Sequence, residues 1–187
     1  YAMLNRLKEN AFIVVSNIQQ ELINSKFKPQ AFELKMINDE GKGIFKLETG
    51  DIIINIKGTV DRVDIFTDEK GDKYIKIVDY KTGSRLSLLS NMYNGLSLQL
   101  LMYLIALIEG EHEIDGDENE KEKLIPAGIV YTPARYINSQ SEDIEYINNE
   151  EKYIEASIEV GKKTILKTLA RYGLIINDSE VMSSMNE

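Results

Sequence analysis

The chain has 187 residues, with 22 Lys plus Arg against 31 Asp plus Glu, one His, three Pro and no Cys, for a formal net charge of -9. That length predicts one domain, large enough to bury roughly 70% of the surface its unfolded chain exposes. Without Cys this stretch can hold no disulfide, thiolate zinc site or iron–sulfur cluster, which is compatible with a reducing, cytoplasmic setting.

Residues 3 to 24 place Leu4, Leu7, Phe12, Val15, Ile18 and Leu22 near helical spacing with no Pro or Gly between them, so an amphipathic helix is predicted over 1–25. The first residues lack both a start Met and the charged-then-apolar plan of a secretion signal, and the chain is expected to be a piece of a longer one. Pro29 and the alternation from Ala31 to Ile37 predict a strand, and Asp39 to Gly43 a turn. Ile52, Ile54 and Ile56 alternate into a second strand, and Gly58 separates it from a third that ends near Phe66.

Asp68-Glu69-Lys70-Gly71-Asp72 is turn chemistry between two alternating runs, so residues 58 to 81 should form a hairpin. With the turn centred on Lys70, Ile65 faces Ile75, Val63 faces Ile77 and Asp61 faces Asp79, while the other face sets Asp64 opposite Lys76. A slip of one residue would turn every side chain over, so apolar pairs on one face and an opposite-charge pair on the other support the same register.

Leu96 to Ile108 is a run of about 13 residues interrupted by Gln99, short of the roughly 20 that span a bilayer, so no membrane partner is expected. Gly95 to Ile108 reads instead as a helix apolar on nearly all sides and therefore sandwiched. Glu109 to Glu122 holds eight acidic residues against Lys121 alone, so -7 of the -9 sits in one predicted loop and the rest is nearly neutral. Ile125 to Tyr131 is predicted as a strand and Asn148 to Tyr172 as a long helix. Asp178 to Met185 reads as a short helix capped by Asp178 or Ser179. The expected plan is a single domain over 1–187, with the sheet and site in 29–135 and the last helices in 148–187.

The hairpin builds a candidate site. Strand alternation puts Asp79 and Lys81 on one face, and the register brings Asp61 opposite Asp79, at the end of a face otherwise made of Val63, Ile65, Ile75 and Ile77. Opposed carboxylates about 5 Å apart repel unless compensated, and a divalent cation compensates them. Oxygen donors without Cys favour Mg2+ or Mn2+ over zinc, and such an ion assists phosphodiester hydrolysis, with Lys81 placed to orient water or neutralise developing charge. Gln99 and Tyr103 share one side of the apolar helix. A buried Gln99 either closes a backbone gap, with Tyr103 in the core, or both reach the edge of the carboxylate pair and touch DNA or water.

Gly58-Thr59-Val60-Asp61-Arg62-Val63-Asp64, then Ile77-Val78-Asp79-Tyr80-Lys81-Thr82-Gly83, then Gln99-Leu100 with Tyr103, resemble in order the RecB-type nuclease motifs of the PD-(D/E)XK superfamily. Pro126 to Tyr131 and the tail from Gly173 to Asp178 with Val181 and Met182 are similar to the nuclease region of the AddB family, subunits of bacterial helicase–nucleases. The resemblance, from about Phe32 onward, implies an α/β, restriction-endonuclease-like core, a central mixed sheet flanked by helices. It implies metal ligation by Asp61, Asp79 and the Tyr80 backbone carbonyl, catalysis by Lys81, and completion of the site by Gln99 and Tyr103. Glu33 stands where the family often has Glu and is a weaker candidate.

The implied function is a Mg2+- or Mn2+-dependent deoxyribonuclease, an exonuclease that resects double-strand DNA ends for recombinational repair. Its implied partners are DNA, as double-strand ends and unwound single strand, and an AddA-like helicase–nuclease subunit. The competing expectation is a catalytically silent nuclease-like module that binds DNA or serves as a scaffold; a small stand-alone nuclease fits the tail less well. Two family features do not match. The upstream metal-binding histidine has no counterpart, His112 lying in the acidic loop, and the cysteines of an iron–sulfur cluster are missing. Both are expected outside this fragment, which alone should bind metal weakly and cut poorly. For a DNA path the chain offers only Lys81, Arg85, Arg62 and Arg135, scattered, and it holds no phosphate-cradling Gly-Lys-Ser/Thr loop for ATP.

Overall fold

The structure is a computed structural model that describes residues 2–37, 41–49, 51–82, 92–94, 98–109, 123–134 and 170–185. Helix α1 (Ala2–Asn24) leads into β1 (Lys28–Lys35), a two-stranded ribbon of β2 (Phe45–Thr49) and β3 (Ile52–Ile56), and the hairpin of β4 (Thr59–Thr67) and β5 (Lys73–Lys81). Helix α2 (Gln99–Glu109), β6 (Leu124–Pro133), β7 (Tyr172–Ile175) and helix α3 (Ser179–Met185) follow. The main sheet runs β1-β4-β5-β6-β7, antiparallel except where β5 lies parallel to β6. A parallel pair needs a long crossover, and α2 lies within it.

The hairpin register is the expected one. Ile65 pairs with Ile75, Val63 with Ile77 and Asp64 with Lys76. Asp68 closes the turn: its Oδ1 accepts the N–H groups of Lys70 and Asp72 at 2.9 and 2.8 Å, and Gly71 takes a φ of +89° that side chains rarely adopt. On the outer strand β1 the register shifts between Pro29 and Ala31, where the proline has no N–H to give the ladder.

The odd-numbered face of the hairpin, with Val63, Ile65, Ile75 and Ile77, is buried in one core with Leu100, Tyr103, Leu104 and Leu107 of α2. That helix packs on β5 and β6 and also touches β2 and β3, so it is sandwiched as its composition implied. On the opposite face Phe66 packs with Phe27, Ala127, Val181 and Met185 of α3. Asp178 caps α3, its Oδ1 accepting the N–H groups of Glu180 and Val181 at 2.9 and 3.0 Å.

Two expectations need correction. The apolar stripe of α1 is its packed side only toward the C-terminal end: Leu4, Leu7, Phe12 and Val15 are exposed, Ile18 and Leu22 are half-buried, and Glu21 is buried. Tyr172 begins strand β7 rather than ending a helix; residues 148–169 of that predicted helix, the acidic stretch 110–122 with His112, and residues 39 and 40 of the predicted turn lie outside the described residues. Strand β2 was not anticipated. Among the described residues no helix is long and apolar enough to cross a membrane.

Candidate active site

The β4–β5 ladder runs to Arg62 opposite Val78, and the next step of that register is Asp61 opposite Asp79. Asp61 Oδ2 accepts a hydrogen bond from the Tyr80 N–H at 2.9 Å, which fixes the carboxylate against the end of β5. Lys81 Nζ lies 2.7 Å from Asp79 Oδ2, with the lysine side chain 44% exposed and the aspartate side chain 12%. The two carboxylates and the ammonium that the sequence placed on one face are therefore together at one end of it.

Burial pushes the Asp79 carboxyl above its ordinary value and the Asp61 charge adds to this; Lys81 pulls it back only in part. Asp79 Oδ2 is buried, and no aligned hydrogen bond reaches it among the described residues, the Lys81 contact being ionic. Two neighbouring carboxylates, the Asp79 one held above its ordinary value by burial, are oxygen donors of the kind a hard divalent cation takes. No group of three or more His, Cys, Asp or Glu able to hold a metal forms among the described residues. Glu33 does not join them. It stands between the pairs Phe32–Arg62 and Leu34–Val60, hence across from Asp61, but it is exposed and its φ of 49° puts it in the left-handed region.

Gln99 is exposed rather than buried, and donates through Nε2 to Tyr103 Oη at 2.9 Å. Tyr103 is a core residue, and its phenol lies so close to Gly58 that a Cβ there would collide with it. The glycine that opens the first motif is thus explained by the tyrosine that closes the last. Among the described residues Gln99 hydrogen-bonds Tyr103, and Tyr103 lies against Gly58; neither hydrogen-bonds the carboxylates.

One neighbour was missed as a site residue. Tyr131 faces Asp79 on β6, with Lys81 Nζ 5.7 Å from its ring centroid and its ring stacked 5.2 Å from that of Tyr172. Burial raises its phenol, and the Asp79 charge raises it further. An aromatic ending a second alternating strand was the available signal, and it was too common to single out.

Behind the site the charge is buried. Arg62 is fully enclosed, so it cannot line a DNA path. Its Nη2 donates to Glu21 Oε1 and Asp64 Oδ2, both at 2.9 Å, its Nε lies 2.8 Å from Asp64 Oδ1, and Nη1 donates to Tyr80 Oη at 2.8 Å. Lys76 Nζ approaches Asp64 at 3.1 Å and Glu21 at 3.4 Å, and Arg171 Nε approaches Glu21 at 3.3 Å. Burial alone would raise the Glu21 carboxyl; Arg62, Lys76 and Arg171 together hold it below its ordinary value. Of the other basic candidates, Arg85 and Arg135 lie outside the described residues.

The sequence matches the PD-(D/E)XK nuclease superfamily over residues 2–172. The chain belongs to that superfamily. Its relatives include proteins named as a subunit of an ATP-dependent helicase/deoxyribonuclease, from Clostridioides difficile strain 630, 34% identical over 97% of this chain, and from Clostridium tetani strain Massachusetts, 34% identical over 98%. A third, from Acetivibrio thermocellus, is 31% identical over 100% of this chain. This superfamily member spans only 14–15% of the length of those relatives. The likeness to AddB-type subunits, and the α/β fold with a mixed five-stranded sheet, are as the linked motifs implied.

Proposed function

We propose that this chain is the nuclease domain of a helicase–nuclease subunit, hydrolysing phosphodiester bonds as a Mg2+- or Mn2+-dependent exonuclease at double-strand DNA ends. The observation that carries the reading is the convergence of Asp61, Asp79 and Lys81 at the end of one hairpin face, within 2.7 Å in the case of Asp79 and Lys81. The names of the relatives join helicase and deoxyribonuclease in one enzyme, which supports this reading; the setting we propose with it is an AddA-like partner subunit, unwound DNA as substrate, end resection for recombinational repair, and the cytoplasm as the place of work.

Asp61, Asp79 and the Tyr80 backbone carbonyl would hold the cation. When bound, it supplies a Lewis acid for the phosphoryl oxygen and a water of lowered pKa. Asp61 already spends one oxygen on the Tyr80 N–H, which leaves the other to face the site. Lys81 brings a positive charge next to where negative charge grows on the phosphate, and its half-exposed stem keeps it within reach of substrate. Gln99 and Tyr103 hold the first turn of α2 against Gly58, three residues ahead of Asp61. An iron–sulfur cluster would belong to the longer protein, because these 187 residues contain no Cys.

The test is strand-specific cleavage by the intact protein carrying Asp79→Ala, paired with Mn2+ titration calorimetry of Asp61→Ala. Loss of one strand's cut and weakened Mn2+ binding are expected. Wild-type cleavage by the first variant would overturn the assignment, and equal metal affinity in the second would remove Asp61 from the ligand set.

A further inference from the structure

Pairing between β4 and β5 extends from Thr67–Lys73 to Arg62–Val78 and goes no further, whereas β5 continues against β6 through Asp79–Tyr131, Tyr80–Thr132 and Lys81–Pro133. The three residues beyond the last β4 pair are those that carry the site. Among the described residues, the hydrogen bonds tying them to β4 both end on Tyr80. Its backbone N–H is held by Asp61 Oδ2 at 2.9 Å, and its phenol oxygen by Arg62 Nη1 at 2.8 Å. Asp61 and Arg62 are consecutive, so strand alternation sends their side chains to opposite faces and they take hold of Tyr80 from both.

The orientation of Arg62 is itself determined. A guanidinium is a planar fork, and here Asp64 takes its Nε and Nη2 edge while Glu21 takes Nη2 as well, which aims Nη1 at the phenol. Filling the back of a sheet does not need such a group, because apolar residues of similar volume do that at equal or lower free energy. A guanidinium whose fork is fixed between two carboxylates does supply direction.

We infer that Arg62 is a positioning residue for the nuclease centre: anchored by Asp64 and Glu21, it holds the Tyr80 phenol and thereby sets where Asp79 and Lys81 stand relative to Asp61. This rests on the nuclease reading above. Tyr80 touches no reacting atom through its ring; it transmits the position of the back-face network to its two neighbours, which alternate to the front. Small displacements matter there, since a shift of about 1 Å at a reacting centre costs on the order of 100-fold in rate.

The experiment uses the intact protein and follows the strand cut that Asp79→Asn abolishes. Tyr80→Phe removes one hydroxyl from a half-buried ring, so the fold survives and the melting midpoint stays within about 3 °C of wild type. Its kcat is expected to fall about tenfold with KM for DNA within about twofold. Arg62→Lys, which loses the fork, is expected to fall similarly, and the double variant no further than the worse single one, because both changes cut the same link. A Tyr80→Phe kcat within twofold of wild type, or losses that multiply in the double variant, would overturn the role of Arg62; if Arg62→Lys does not fold, Tyr80→Phe alone decides. Survival of the cut in Asp79→Asn would instead sink the nuclease reading itself, so the two failures are told apart.

Discussion

Replacing Asp64 by Asn leaves shape and volume nearly unchanged but removes one charge from the centre of the buried network. Asp64 is fully enclosed, meets Arg62 through both oxygens at 2.8 and 2.9 Å, and lies 3.1 Å from Lys76. With Asn there, Arg62 and Lys76 keep only Glu21 as a shared anionic partner, and Lys76 is 3.4 Å from it. Breaking a buried ion pair by removing one partner costs about 3–5 kcal/mol, most of it the penalty of the charge left behind. Asn retains one acceptor, so the lower end, about 3 kcal/mol, is expected, equivalent to a fall of about 6–12 °C in melting midpoint for a domain of this size. Urea titration measures it as a lower midpoint at unchanged slope. The paired change Asp64→Leu with Lys76→Met, which removes a charge of each sign, should recover a good part of the loss. A single Asp64→Asn variant within about 0.5 kcal/mol of wild type would refute the view that these charges depend on one another.

Lys81→Ala should leave Mn2+ affinity nearly unchanged while slowing cleavage by about 100-fold or more, read from single-turnover kinetics on end-labelled DNA. Asp79→Asn should stabilise the metal-free protein at neutral pH, since a carboxyl whose folded pKa is raised costs stability above that value; the gain should fade as pH falls toward the ordinary carboxylate range and be absent below it. A gain that grows on acidification would contradict the sign of that shift. Gly58→Ala should cost about 1–3 kcal/mol by forcing a methyl against the Tyr103 phenol, and much less in a background where Tyr103 is already Ala.

The hairpin register was legible because two constraints of period two agreed, apolar pairs on one face and Asp64–Lys76 on the other. What covers the second face was not. Asp64 and Lys76 read as a cross-strand pair and Arg62 as a scattered candidate for a DNA path, and only the fold brings Glu21 of helix α1, 41 residues before Arg62, over them. The same helix misled in another way: its apolar letters gave helical spacing without saying which side would be packed, and the buried position is a glutamate. Gln99 was expected inside because its neighbours are apolar, yet it lies at the exposed first turn of α2, where surroundings inferred from sequence neighbours fail. The meeting of Asp61, Asp79 and Lys81 was readable since all three lie on one hairpin. Tyr131 reaches it through a parallel pairing that no local pattern encodes.

The outer strand β1 has a further consequence. Its ladder is broken at Pro29, and Glu33 turns through a left-handed conformation, so the margin that β1 forms among the described strands presents neither an even row of donors and acceptors nor a flat contour. Another polypeptide in extended form finds no template there, and open-ended stacking of copies side by side is blocked at that border by backbone shape rather than by charge.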